Sequence, residues 1–330
     1  MYITEISKVS YQQFIDTSKH STVFHTTPWL DIISEVYGST IRYLGVIAGD
    51  ELLGAFPVMC KRVGFLTLHG SPLSKHATHI SHPVLDDRIE STAFFDALQR
   101  WVNAQHLAFF QLAWTGPVPA QSARCRVESR ATLVVPLEAT LEEIWKRIKP
   151  EARNRIRRAV RAGIKLHWCQ PSHFLQLYHD LLQSTYARQG ITPNFPPILY
   201  TYLLQHRAHL PLKLITATLH GKLIAALWLL YDHTTCYFWD GASDQSYRKL
   251  SANHLLHWAV MRWAYKNKRV AYDLIGTGSR SGEREGLGRF KRNLGAFPLD
   301  YSMIYWTQGW VWFLLNVYRW YLSMTDKPKT

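Results

Sequence analysis

No cysteine pair in this sequence has the spacing of a metal or redox motif. Cys60, Cys125, Cys169 and Cys236 lie far apart, which argues against a disulfide framework or a zinc cluster; they read as small buried hydrophobes in a reducing compartment. Acidic residues are scarce, with 24 Asp+Glu against 38 Lys+Arg and a net charge of +14. That imbalance favours an anionic partner (RNA, a phosphorylated substrate or an anionic membrane surface) or marks only a soluble basic protein. No apolar run reaches the roughly 20 residues of a transmembrane helix. The opening Met1-Tyr-Ile-Thr-Glu-Ile-Ser-Lys8 has no signal-peptide core, so the expectation is a cytoplasmic protein with no transmembrane segment. The nucleophile elbow, the dinucleotide fingerprint and the Walker A loop are all missing. His69, His76, His79 and His82 cluster in a proline-bearing loop without an acid or cysteine among them, and no metal site is expected there.

What is present is a long, apolar, aromatic-rich chain. Its 330 residues are 47% hydrophobic and 13% aromatic, with thirteen Trp. This is a globular composition, long enough for two domains. Two halves share one plan. In the first, a helix begins at Pro28-Trp29-Leu30 with Thr27 as N-cap, and Ile41–Ala48 and Leu52–Met59 form a hairpin. In the second, Phe174–Arg188 is helix-like and Leu212–Thr218 pairs with Lys222–Tyr231. Thr234–Trp239 adds a strand before a helix from Ala252 to Lys266. The expected division is residues 1–130 and 131–330. Thr132–Leu137 would open the second domain, and Thr140 with Glu143 would form a capping box.

Two segments stand out by composition. A basic helix is expected over 141–162, since Lys146–Lys165 carries nine Lys/Arg and a single acid, Glu151. Arg153, Arg157 and Arg161 recur every fourth residue and share a helix face, broadened by Arg155 and Arg158. The face is either simply solvated or binds phosphates; five neutralised phosphates would give a log–log salt slope of about −4. The second segment is an aromatic helix expected over 310–324, following a last strand, Leu299–Trp306. It either packs on the body or lies in a membrane interface, where Trp and Tyr are favoured.

The most informative stretch is Gly286-Leu-Gly-Arg-Phe-Lys-Arg-Asn-Leu-Gly295. It follows the strand-like Val270–Ile275 and a Gly/Ser-rich loop, Gly276–Gly282. A short helix there, stopped by Gly295, carries Phe290 and Lys291 to the mouth of a sheet, where loops hold chemistry. Lys291 is either a fixed cation for a developing oxyanion or an exposed helix lysine. Asp240 and Asp273 sit near strand ends and are candidates for a base or for helix caps.

The strand ending in Tyr237-Phe-Trp-Asp-Gly-Ala-Ser243, the loop after it and the helix at Ala252 resemble the GNAT acyl-CoA N-acyltransferase fold. At the glycine-rich pyrophosphate loop of that fold this chain has Arg248-Lys-Leu-Ser-Ala-Asn253, without glycine. Within the superfamily the chain resembles the FemAB/FemX-type aminoacyltransferases. The resemblance rests on Phe24-His-Thr-Thr-Pro-Trp-Leu30, Arg153-Asn-Arg-Ile-Arg-Arg-Ala159 with Gly163-Ile164, Tyr186-Ala-Arg-Gln-Gly190, Trp239-Asp-Gly-Ala-Ser243 with Asn253, Tyr272-Asp273, and Gly286–Gly295. The resemblance implies an α/β fold of two tandem GNAT-like domains, each a mixed, mostly antiparallel sheet flanked by helices. It implies transfer of an aminoacyl group from aminoacyl-tRNA to an amine of a peptidoglycan or other cell-envelope precursor, with no tightly bound cofactor. Acyl-CoA is the alternative donor, and an inert RNA- or membrane-binding scaffold the second alternative.

Carried over by position, Phe290 and Lys291 fall at the reaction centre. Arg188, Tyr237, Trp239 and Asn253 fall to substrate. Arg153, Arg157, Arg161, Arg248 and Lys249 fall to the donor's phosphates. The resemblance implies tRNA and the precursor as partners; the composition of the C-terminal aromatic and basic region adds, as the alternative to packing on the body, peripheral contact with an anionic membrane. Such a protein would work at the inner face of the cytoplasmic membrane. The basic residue that the family carries after its first-domain Trp motif has no counterpart after Trp29.

Overall fold

The computed structural model describes all residues except 120–124, 170–174, 190–194, 277–284, 312 and 314–330. The chain divides into two units, Met1–Arg130 with Tyr301–Thr330, and Ala131–Asp300. The stretch Tyr301–Thr307 thus belongs to the first unit and not to the expected 131–330 domain. The reason is pairing, since Ser302–Thr307 lie in register against Trp114–Phe109.

In the first unit, β1 (Tyr2–Glu5) and α1 (Lys8–Thr17) precede α2 (Thr27–Tyr37), β2 (Thr40–Ala48) and β3 (Glu51–Val63). Then come β4 (Leu66–Ser71), β5 (Val84–Leu85), α3 (Ser91–Ala104) and β6 (Phe109–Trp114). The cap of α2 is Thr26, not Thr27, because Pro28 must sit in the first turn, where no N–H is needed. The sheet order is β1-β2-β3-β4-β6, closed by the last strand of the chain, with β5 on β3. Among the described residues of this unit, only β4 and β6 run parallel. Phe56, Phe94, Phe110, Leu112 and Trp114 fill the core between the sheet and α3.

The second unit opens within β7 (Cys125–Pro136) and continues through α4 (Leu141–Arg147), α5 (Pro150–Arg161) and β8 (Lys165–Cys169). After α6 (Leu175–Gln189) and α7 (Pro197–Gln205) come β9 (Leu212–Leu219), β10 (Lys222–Tyr231) and β11 (Thr235–Ser243). Then follow α8 (Ala252–Lys266), β12 (Ala271–Asp273), α9 (Glu285–Asn293) and β13 (Phe297–Thr307). Its sheet order is β7-β12-β11-β10-β9-β8, again antiparallel except for one parallel pair, β11 with β12. Each unit therefore repeats one plan: an antiparallel meander, a helix, and a strand that returns parallel to the meander's last.

The expected basic helix 141–162 is two helices. Ile148 leaves the helical region and Pro150 starts α5, because proline cannot continue α4 but fits a first turn. Thr140 and Glu143 do form the capping box of α4. Helix α5 turns Ala152, Ile156 and Ala159 into the core. Val160, read from sequence as apolar backing, is exposed. Of the expected helix 310–324, only Trp310, Val311 and Phe313 are described; the remainder lies outside the described residues. Among those residues no helix is long and apolar enough to cross a membrane, and no group of His, Cys, Asp or Glu could hold a metal.

Candidate active site

The site begins where two parallel strands part. Strands β11 and β12 pair from Thr235↔Ala271 to Tyr237↔Asp273. There β12 ends, while β11 runs on to Ser243, paired among the described residues with β10. A parallel pair that separates leaves a backbone edge at the carboxyl ends of the strands, the usual position of chemistry in α/β sheets. A β-bulge lies on the same stretch, with Trp228 facing Asp240 and Leu229 facing Phe238, so Trp239 is the extra residue. Bulges of this kind re-aim side chains beside active sites.

The chain after β12 is bent by two consecutive left-handed residues, Ile275 (φ 51) and Gly276 (φ 72). Glycine takes that conformation freely, whereas a β-branched residue does so only under constraint. The constraint is a set of hydrogen bonds. The Ile275 amide donates to Asp273 Oδ1 at 2.7 Å, and the Gly276 amide donates to Thr132 Oγ1 at 3.1 Å. The Thr132 hydroxyl in turn donates to Asp273 Oδ1. The bend presents two carbonyls on one side, and Lys291 Nζ donates to both, to Ile275 O at 2.6 Å and Gly276 O at 3.0 Å.

Helix α9 explains why this lysine, of three neighbouring cations, is inside. Gly288, Lys291 and Leu294 lie on its buried face, while Arg289 and Arg292 point to solvent. Lys291 is only 3% exposed. Burial lowers its pKa to about 8, opposed by the negative charge of Asp273. Next to it, Phe290 is half-buried between two imidazoles of α8, with ring centroids 4.8 Å from His254 and 5.3 Å from His257. His257 Nδ1 lies 2.8 Å from the Tyr272 hydroxyl. Burial pushes the His257 pKa down to about 3, helped by the neighbouring His254 and Lys291, and that of His254 to about 4, helped by the charge of Arg155. Both rings are neutral at physiological pH, so Lys291 is the cation at this locus.

The candidates from sequence divide between this locus and others. Asn253 opens α8 and donates to Ser243 Oγ at 3.2 Å, while its Oδ1 is buried without a partner. This tie joins the end of β11 to the helix that carries His254 and His257. Trp239 stacks on Phe195 at 4.6 Å, on the side of the sheet occupied by α6 and α7. The Tyr237 hydroxyl is spent on Asp232 in the β10–β11 turn. Arg188 lies in α6, and its side chain is outside the described residues.

The basic residues sit apart in character. Arg153 is half-buried and Arg157 and Arg161 are exposed; Arg157 covers the Trp145 ring at 5.6 Å and donates to Asn154. Arg248 and Lys249 are exposed on a 3-10 turn, Gln245–Leu250, and Arg158 reaches the Lys249 carbonyl at 3.5 Å. The turn ends at Ser251 (φ 64), which begins α8 without any side-chain cap. A helix start free of a side-chain cap, with cations around it, suits an anion.

Sequence reasoning passed over Thr132, His254, His257, Tyr178 and Tyr200. The hydroxyls of the last two both donate to Asp240, from Tyr178 at 2.7 Å and from Tyr200. Burial nevertheless raises the Asp240 pKa to about 6, against those hydrogen bonds. The i, i+3 spacing of His254 and His257 just after Asn253 was a legible signal. Thr132 carries none, because its role exists only once β7 lies beside β12.

Residues 146–292 match the family model described as an acetyltransferase (GNAT) domain. The match falls within the second unit, whose sheet and helices are thus similar to a GNAT domain. Over the whole chain the fold is that of FemX. A crystal structure of FemX superposes with a TM-score of 0.72 at 14% identity, covering 96% of this chain and 99% of that one. Two further structures share the architecture. One is the C-terminal DUF2156 domain of an Agrobacterium fabrum protein assigned as a lysylphosphatidylglycerol synthetase, with TM-score 0.60, 14% identity, and 93% and 94% coverage. The other is a tandem GNAT protein from the clavulanic acid biosynthesis pathway, with TM-score 0.52, 10% identity, and 92% and 97% coverage. A search of curated protein sequences gave no significant match. The fold of the chain is thus similar to that of FemX, two tandem GNAT-like units.

Proposed function

We propose that this acyltransferase moves an aminoacyl group from aminoacyl-tRNA to an amine of a peptidoglycan or other cell-envelope precursor, at the cytoplasmic side of the membrane. The observation that carries the reading is the buried Lys291 ammonium, fixed at the point where β11 and β12 part. An ammonium has three N–H donors, and two are spent on carbonyls. The third is the one a developing oxyanion would take.

The chemistry follows from that position. The uncharged acceptor amine attacks the ester carbonyl of the donor, a C–N bond forms, and the carbonyl oxygen becomes negative. Lys291 stabilises that charge in surroundings too dry for water to screen it. Collapse breaks the C–O bond and releases the tRNA ribose oxygen, which takes up the proton that the attacking amine gives up. Phe290 holds the apolar wall beside the cation, and the neutral His254 and His257 keep that wall free of competing charge. The cations of α5 and the Gln245–Leu250 turn are assigned to the donor's phosphates, with Arg188, Trp239 and Asn253 on the substrate side. No tightly bound cofactor is required.

Acyl-CoA is the second reading, favoured by the acetyltransferase model that matches residues 146–292. Against it stands the Arg248–Asn253 loop, which lacks the glycines that let backbone wrap a pyrophosphate. Offering purified protein charged tRNAs and acyl-CoAs beside a panel of amines separates the two. Turnover of acetyl-CoA with no transfer from any charged tRNA would sink the leading reading.

A further inference from the structure

Strands β3 and β4 meet in a tight turn at Gly64 (φ 60), and the tip is apolar. Phe65 is 77% exposed and Val63 50%. Trp310, itself 47% exposed, stacks on Phe65 with centroids 6.3 Å apart and planes at 15°. Phe313 beside it in sequence is 68% exposed. This exposure is not that of a loose end. Val311 in the same turn is fully buried, and the Gln308 amide donates to Ala108 O at 3.2 Å. Trp310 Nε1 is held by Gln308 Oε1 at 2.7 Å. Four large apolar side chains are thus presented outward by two anchored segments, an arrangement that soluble monomers keep for a partner.

The charge around them selects the partner. Neither Lys61–His69 nor Tyr301–Phe313 contains an acid. Lys61 Nζ is spent on the Tyr37 and Gly38 carbonyls, so Arg62, exposed and bonded to Gly64 O, is the cation at the tip. A second copy of the chain would need roughly 800 Å² per partner for a stable contact, far more than four side chains provide. A bilayer needs only a few aromatic side chains at headgroup depth and a basic residue for lipid phosphate. We infer that the β3–β4 tip, together with the Trp310 and Phe313 side chains, forms a docking surface for an anionic lipid bilayer. Phe65, Trp310 and Phe313 enter the interface and Arg62 meets the phosphates. The net charge of +14 steers the protein there. The inference is independent of which acyl donor is used.

Co-sedimentation with vesicles tests it. Wild type is expected to sediment with an equal mixture of phosphatidylcholine and phosphatidylglycerol, and weakly or not at all with phosphatidylcholine alone. Phe65→Ser with Trp310→Ser should weaken partition at least about tenfold, as expected for losing two buried aromatics, and Arg62→Gln about fivefold. Ile198→Ser, at an exposed apolar residue outside both segments, should change nothing. Melting temperatures of all variants should match wild type, and acyl transfer in vesicle-free solution should be unaffected, so the result does not depend on the functional reading. The inference is overturned if wild type binds neither vesicle or if the double variant binds as well as wild type. It is equally overturned if sedimentation without lipid shows a dimer that the double variant abolishes.

Discussion

Lys291 and the arginine face of α5 are both positive charge in the same unit, and they differ in what holds them. Five arginines, Arg153, Arg155, Arg157, Arg158 and Arg161, stand on a helix whose other side is packed. They are mostly exposed, so water and salt screen them, and each is worth little by itself. Lys291 is one charge, but it is desolvated, pinned by two carbonyls and backed by Asp273. Catalysis needs a charge whose field is already aimed when the transition state forms. Holding a long anion needs many charges whose positions matter less. Under the proposed function, the arginines would serve affinity and Lys291 would serve rate.

The largest expected effect comes from breaking the rate side. Lys291→Ala should lower the rate at saturating substrates by about 10²–10³ and leave donor affinity nearly unchanged. The wild-type rate should also fall above pH about 8, about tenfold per pH unit, as the ammonium loses its proton. A pH–rate profile of wild type checks the second point.

Asp240 sharpens the comparison with a buried charge of the other sign. Its pKa is raised to about 6 from an ordinary 3.8, so between pH 4 and 6 the folded state binds more protons than the unfolded one. Stability from this group therefore falls as pH rises through that window, by roughly 3 kcal/mol in all. Asp240→Asn keeps an acceptor for Tyr178 and Tyr200 and cannot ionise. The difference between wild-type and variant unfolding free energies, measured by urea titration across pH 4–7, should show that slope. Parallel curves would mean that Asp240 is not desolvated.

On the affinity side, Arg155, Arg158 and Arg161 changed together to Ala should weaken tRNA binding and reduce the log–log salt slope by about 0.7–0.9 for each phosphate no longer neutralised. The maximal rate and the melting temperature should stay close to wild type. The smallest effect is expected of Arg157→Ala alone, about 0.5 kcal/mol, since its guanidinium already lies over Trp145.

Much of the fold is legible in the sequence. The hairpin Leu212–Tyr231, the helix Ala252–Lys266 and the capping box at Thr140 follow from local periodicity and turn chemistry, and β9, β10, α8 and α4 realise them. Phe290 and Lys291 could be picked out because they sit on a short helix behind a strand. What local pattern could not give was burial. The sequence of α9 reads as a basic helix, and only the two carbonyls curled by Ile275 and Gly276 make one of its cations internal. Pairings between distant segments were illegible for the same reason. Thr132 meets Asp273 across β7 and β12, and Tyr178 and Tyr200 converge on Asp240 from two helices. The break at Pro150 was visible as a proline, but the run of arginines around it suggested one continuous face.

Lys291 is proposed to drive acyl transfer from a tRNA-borne donor. The most direct measurement is single-turnover transfer from charged tRNA to an amine acceptor, by wild type and Lys291→Ala, at pH 7 with enzyme in excess. Wild type is expected to transfer the aminoacyl group, the variant to do so about 10²–10³ more slowly, and both to retain tRNA equally. Equal single-turnover rates for the two proteins would contradict it.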